Sequence, residues 1–276
     1  MARILAISSQ VVYGAVGNSA GVFALQRLGH EVWPVPTTLL SHHPGYGRPA
    51  GGPVPASDIS ALIRSLDDKG WLARCDAILS GYLAGPDQAG AILEAHDRLK
   101  WANSEAFYLC DPILGDEESG SYAAPGVAEA MQDLLARSDI ATPNLFELGT
   151  LTGLQGGDAA IADMLRVMPQ PRLCLTSAPA PTGHIGVLVR DGSEMHAVET
   201  RRFEPAPKGT GDIFSALLLG RFLRSGNLAE AARDAAASTA AMVRESVARE
   251  RSDLVLAEAQ HVIEHPDEDA SLTPLR

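Results

Sequence analysis

Cysteine is sparse in this 276-residue chain. The three present, Cys75, Cys110 and Cys174, are widely spaced, and each lies in or beside an apolar run. That spacing excludes a disulfide framework and a zinc site, and it predicts three core thiols in a reducing compartment, the cytoplasm. Positive charge is also short. Lys and Arg number 22 against 34 Asp and Glu, a net charge of −12, which argues against duplex nucleic acid or an anionic membrane as the main partner. An anionic ligand in a locally positive site stays possible. No apolar run approaches a membrane span, and the opening run over residues 1–7 is too short for a signal peptide. There is no G-x-x-x-x-G-K-[ST] loop, and Phe214 stands where a dinucleotide fingerprint beginning at Gly209 needs its third glycine. No internal repeat, low-complexity block or interdomain linker interrupts the chain. It therefore reads as one domain over 1–276, with an acidic, frayed tail over about 265–276.

What is present is an ordinary globular composition, 46% hydrophobic and 20% charged, arranged as alternating strands and helices. Short apolar runs predict strands at 4–9, 31–35, 77–81, 106–110, 139–142 and 172–176. Between them the periodicity predicts helices from Asn18, as N-cap, to Gly29, then over 57–66, 88–101 and 127–136. A turn-rich loop covers 41–55. A hairpin over 184–189 and 194–198 turns around Asp191-Gly192. The last third reads as helical, over 212–223, 228–247 and 254–263. Alternation of this kind implies an α/β fold of three layers, α/β/α, with a mostly parallel central sheet covered on both faces. In such sheets ligands bind at the carboxyl ends of the strands, so the polar residues there matter: Ser9, Ser80-Gly81-Tyr82, Asp111-Pro112, Thr142-Pro143-Asn144 and Thr176-Ser177.

The most telling stretch is Lys208-Gly209-Thr210-Gly211-Asp212, followed at once by an apolar, helix-forming run. Two glycines allow a sharp turn and close approach to a ligand. The first N–H groups of the helix, unpaired within it, suit an anion such as phosphate. Asp212 adds an acceptor carboxylate in the same turn, which is what moving phosphate onto a hydroxyl requires. A tight turn with a helix-capping Asp has the same residues, so the weight comes from the other motifs.

Taken together, the chain resembles the pyridoxal kinases of the ribokinase-like superfamily from Ile4 to about Val247. The resemblance rests on the run from Ser9 to Asn18, Ser80-Gly81-Tyr82-Leu83, the run from Cys110 to Asp116, the run from Thr142 to Glu147, Thr176-Ser177 and Gly209-Thr210-Gly211-Asp212. It implies ATP-dependent phosphorylation of the 5′-hydroxymethyl of pyridoxal, and often of pyridoxine or pyridoxamine, by a homodimer using Mg2+ and a monovalent cation such as K+. Asp212 would be the base, with Gly209, Thr210 and Gly211 as the anion hole. Asp111 and Glu147 would manage metal and phosphate. Asp116, Thr142, Asn144, Thr176 and Ser177 would lie on the nucleotide side. Asn144 is otherwise an ordinary N-cap. Ser9, Val16, His43 and Tyr82 would contact the acceptor, with Ser8 the competing serine. Residues 116–125 would be a flap over the nucleotide, and Lys208 an exposed lysine.

Two departures concern the acceptor. In Ser41-His42-His43-Pro44-Gly45-Tyr46 the proline replaces a family threonine and supplies neither hydroxyl nor N–H, and Gln10 stands where histidine is usual. They leave open a kinase of hydroxymethylpyrimidine or another small hydroxymethyl compound. A non-catalytic vitamer-binding protein is a third reading, disfavoured because a pure binder needs no phosphoryl cradle. The adjacent histidines lack a third ligand at metal-site spacing.

Overall fold

The computed structural model describes residues 1–154 and 158–275. Along the chain run β1 (Arg3–Val11), α1 (Asn18–Arg27), β2 (Glu31–Leu40), β3 (Gly51–Pro53), α2 (Ala56–Asp68), β4 (Ala77–Ser80), α3 (Gln88–Ala102) and β5 (Phe107–Cys110). Next come β6 (Gly115–Asp116), β7 (Gly120–Ser121), α4 (Val127–Leu135), β8 (Ile140–Ala141), α5 (Leu145–Thr152), α6 (Asp158–Val167) and β9 (Arg172–Ala178). The chain closes with β10 (His184–Asp191), β11 (Glu194–Arg201), α7 (Thr210–Ser225), α8 (Leu228–Ala248), α9 (His261–Glu264) and β12 (Ala270–Leu275).

Ten strands form one sheet in the order β12-β11-β10-β9-β8-β5-β4-β1-β2-β3. From β9 to β2 every neighbouring pair is parallel, and antiparallel strands extend both edges. Side chains along a strand alternate between faces, and the core follows. Ile4 and Ala6 join an apolar layer with α1, α7 and α8, while Leu5 and Ile7 join one with α2, α3 and α4. This is the expected three-layer α/β/α fold. All three cysteines are buried and free, and no helix among the described residues is long and apolar enough to cross a membrane.

Four expectations are corrected. Asn18 is not a cap: Gly17 holds that position, and the buried Asn18 amide donates to the carbonyls of Ser8 and Val35 at 3.2 and 3.3 Å. The strand predicted at 31–35 runs on to Leu40 through two prolines. Their missing N–H groups fall on an edge that no strand covers before Thr38. The helix predicted over 254–263 shrinks to the four residues of α9. Its apolar residues Leu254, Val255, Ala259, Val262 and Ile263 are buried, but on a chain of turns. The tail over about 265–276 is not frayed, because residues 270–275 pair with β11 as β12, while residue 276 lies outside the described residues. Its acidic start is held by Arg244, which donates to Asp267 at 2.9 Å and to Glu268 at 2.6 Å. A smaller shift places the hairpin turn at Gly192-Ser193, with Asp191 paired to Glu194 as the last rung.

Candidate active site

The carboxyl ends of the parallel strands and the start of α7 meet around a cavity of about 20 Å³, lined by Ser8, Gly17, Asn18, Ser80, Gly81, Asp111, Asp212 and Ser215, with Ala6, Gly21 and Leu79 beneath. The turn that feeds α7 has Gly209 at its cap, with φ at 92°. A Cβ there would overlap the carbonyl oxygen of Ala15, so only glycine lets this turn close against residues 14–17. The next N–H groups, at Thr210, Gly211 and Asp212, begin a helix of sixteen residues whose aligned dipoles place positive potential at its start. Gly211 is exposed, with open space where a side chain would be. An anion can approach this backbone directly.

Asp212 stands in that first turn. Burial pushes its carboxyl up to about 6, opposed by an N–H bond from Gly17. Three residues on, one helical turn along the same face, the Ser215 hydroxyl lies 2.8 Å from that of Thr142. Both hydroxyls lie beside Asp111 and favour its charged form. Asp111 is 5% exposed. Burial, then the charges of Glu147 and Asp212, drive its carboxyl well above the usual range. Thr142 is buried, and its hydroxyl is engaged by Ser215 beside Asp111.

Glu147 and Asn144 serve the fold as well as the site. Asn144 caps α5, accepting from the Glu147 N–H at 2.9 Å, while Glu147 accepts from the Asn144 N–H at 2.8 Å, a reciprocal capping box. The second oxygen of Glu147 accepts from Leu114 N–H at 3.0 Å, and the Asn144 amide donates to the Gly115 carbonyl at 2.8 Å. Burial pushes Glu147 up to about 7 despite these donors. The ordinary N-cap reading of Asn144 therefore describes its side chain. Thr176 joins the same corner through a bridge to Asn144. Ser177, exposed near the end of β9, sits at φ 53°, an uncommon backbone for a serine.

The segment expected as a flap forms a short hairpin, β6 against β7. Lys208 is not free: its ammonium donates to Asp116 at 3.1 Å and to Ser119 at 3.2 Å, tying the hairpin to the residue before the anion turn. Tyr122, which the sequence did not single out, follows β7 into the field of Glu147, Asp116, Asp212 and Asp111; burial first, then these charges, raise its hydroxyl.

Among the residues expected to contact the acceptor, Ser9 sits where the β1–β2 register slips between Ser8 and Gln10. Ser8 rather than Ser9 lines the cavity, and its hydroxyl accepts from the Tyr82 N–H at 3.2 Å. Ser9 packs against Gly17. Val16 and Tyr82 are half-buried beside them. Gln10 turns away, donating to the Ser19 hydroxyl at 2.8 Å. Pro44 opens a single 3-10 turn, where its fixed φ is favourable and no donor is missed. His43 lies in that loop, apart from the cavity-lining set. Of the six motifs that carry the resemblance, four reach the cavity, through Gly17 and Asn18, Ser80 and Gly81, Asp111, and Asp212, and the 142–144 and 176–177 segments join it through Ser215 and Asn144. Ser215 and Asn18 were missed. The i, i+3 spacing from Asp212 was a usable signal for the first.

A glycine-built anion turn with a carboxylate beside it, opposite hydroxyl and carboxylate groups from three other strands, is the apparatus of a phosphotransferase that acts on an alcohol. The model of the phosphomethylpyrimidine kinase family matches residues 53–255. The chain is 37% identical over 273 residues to the pyridoxal kinase PdxY of Corynebacterium diphtheriae, covering 96% of each, and 38% identical to that of Granulibacter bethesdensis, covering 88% of this chain and 89% of the relative. Its fold matches the pyridoxal kinase of Leishmania donovani solved with ADP and pyridoxamine, with a TM-score of 0.92 at 27% identity over 99% of both chains. The chain belongs to this kinase family, on its pyridoxal kinase branch.

Proposed function

We propose that the protein is an ATP-dependent kinase that phosphorylates the 5′-hydroxymethyl group of pyridoxal, and of pyridoxine or pyridoxamine, giving the 5′-phosphate used in vitamin B6 salvage. The carrying observation is Asp212 in the first turn of α7, directly beside the Gly209–Gly211 backbone. Phosphoryl transfer needs positioning and charge stabilisation more than covalent help. The N–H groups of the turn hold the transferring phosphoryl, and Asp212 orients the acceptor hydroxyl. An alcohol is too weak an acid to ionise first, so Asp212 takes its proton late in the transfer. The Lys208-tethered hairpin covers the nucleotide side and excludes water.

The family uses ATP with a divalent metal, and the donor set here fits one. Asp111 and Glu147 are buried carboxylates whose proton affinity burial raises, that of Asp111 further through the charge of Glu147, the situation a hard cation relieves. They would hold Mg2+, which supplies charge neutralisation to the phosphates. A monovalent cation such as K+ belongs to the same reading. Asp116, Asn144, Thr176 and Ser177 are assigned to the nucleotide side, Thr142 to supporting Asp111, and Ser9, Val16, Tyr82 and His43 to the acceptor. A homodimer is supported by Val12 and Tyr13, 81% and 58% exposed just past the end of β1. Free, buried cysteines fit a cytoplasmic protein.

Purified protein incubated with pyridoxal, ATP and Mg2+ is expected to form pyridoxal 5′-phosphate. No product under those conditions would overturn the assignment. Pro44 keeps a hydroxymethylpyrimidine kinase as the second reading, separated by kcat/KM across the three vitamers and the pyrimidine.

A further inference from the structure

Asp253 stands where three segments of the acceptor end meet. It follows α8 in a stretch of turns, and it is 5% exposed. Its backbone forms a parallel bridge with Lys208, the residue before the anion turn. The neighbouring Leu254 lies 3.4 Å from where a Cβ on Gly209 would stand. The Tyr46 hydroxyl donates to Asp253 Oδ2 at 2.6 Å and lies 2.6 Å from Ser252 Oγ. Gly14, at φ 107°, forms the third wall: a Cβ there would stand 3.1 Å from Asp253 Oδ1 and 3.8 Å from His43.

The other carboxylate oxygen is unfinished. Asp253 Oδ1 is buried without a hydrogen-bond partner, and so is His43 Nε2. The two face each other at 3.9 Å, too far for a hydrogen bond. Gly45 N–H donates to His43 Nδ1 at 3.1 Å, so the neutral ring carries its proton on Nε2, toward the carboxylate. Burial keeps His43 below its ordinary range, against the pull of Asp253 and with the charges of His42 and Lys208 acting the same way as burial. The His43 and Tyr46 rings lie 4.5 Å apart, so the two side chains pack against each other. A buried donor and acceptor held just out of reach are what a small closure completes.

We propose that Asp253 is a positioning residue for the acceptor. Through Tyr46 it ties the loop over 42–47 to the anion turn, and a shift of about 1 Å that brings His43 Nε2–H onto Oδ1 closes the loop over the bound alcohol. The proposal rests on the reading of the protein as a kinase of pyridoxal-type alcohols. It also accounts for the tolerance of Pro44: the loop is fastened by its neighbours His43 and Tyr46, not by a hydroxyl at position 44.

The test is the split between the two substrates in Asp253→Asn, Tyr46→Phe and the double variant. In Asp253→Asn the KM for pyridoxal should rise about tenfold, and in Tyr46→Phe about threefold, with kcat and the KM for ATP within about twofold. The double variant should be no worse than Asp253→Asn, because Tyr46 acts through Asp253. An unchanged pyridoxal KM, or equal losses for both substrates and kcat, would overturn the proposal, as would multiplying losses in the double variant. If Asp253→Asn does not fold, Tyr46→Phe decides alone. Wild-type protein inactive on pyridoxal would instead refute the kinase assignment. The same split is then read with whichever alcohol of the panel is phosphorylated.

Discussion

At the phosphoryl end, each group hangs from a strand end or from the first turn of a helix. Asp111 follows β5, Thr142 follows β8, Asp212 and Ser215 lie on α7, and Glu147 is locked in the cap of α5. At the acceptor end the groups sit on connections. His43 and Tyr46 lie in an exposed loop, and Val16 lies in the turn before α1. At the first end Glu147 accepts from two backbone N–H groups and Thr142 bonds Ser215, while at the second Asp253 Oδ1 and His43 Nε2 are left without a partner. On the proposed reading, the phosphoryl chemistry belongs to the groups on helices and strand ends, and the choice of acceptor to the groups on loops. The pattern is expected, because loops on a fixed scaffold change cheaply.

The sharpest way to break this contrast is at the rigid end. Asp212→Ala is expected to lower kcat by about 10²- to 10⁴-fold, the usual range for a general base. ADP affinity measured by calorimetry should stay close to wild type, and near-normal turnover would remove Asp212 from its proposed role. Gly209→Ala comes next. Its side chain would meet the Ala15 carbonyl on a left-handed backbone, so a loss of about 1–3 kcal/mol in stability is expected, read as a drop in Tm together with a lower kcat/KM for both substrates.

A third test uses pH. The carboxyl of Asp212 lies at about 6, above its unfolded value of about 4. The base form therefore prevails at neutral pH and is lost as pH falls through about 6. Below that point kcat/KM should drop about tenfold per unit, and Asp212→Ala should abolish this limb. The stability contribution has the opposite sense. The folded state holds this proton more tightly than the unfolded chain, so Asp212 disfavours folding above about 6, and that penalty shrinks between about 6 and 4. The smallest effect belongs to the flexible end. Gln10→His should change vitamer preference less than threefold, about 0.6 kcal/mol, because Gln10 is turned toward Ser19. A large change would mean that Gln10 reaches the acceptor.

Legibility in the sequence follows the same division. The parallel strands and the anion turn were readable because short apolar runs ending in Ser, Asp, Thr and Gly have few other uses in an α/β chain. Asn144 and Glu147 were readable as a pair, three residues apart, although the capping box makes their bonding local. Asp253 and Tyr46 were not readable. They are 207 positions apart in sequence, and neither belongs to a periodic segment. The misread stretch over 254–263 fails for a related reason. Its apolar residues recur at near-helical spacing because they face one core, which a chain of turns does equally well. The tail was misjudged because an acidic run usually signals solvent, whereas here Arg244 lies opposite it.

That last strand bears on how the protein is handled. β12 is six residues long and shields one whole side of β11. Trimming the acidic C-terminal stretch to improve crystallisation would bare the edge of β11, where the backbone groups of alternate residues now paired with β12 would lose their partners, an open template for another chain. Shortened preparations should be prone to clumping even with the site intact. An affinity tag is therefore better placed at the other terminus, where Met1 is exposed and precedes β1.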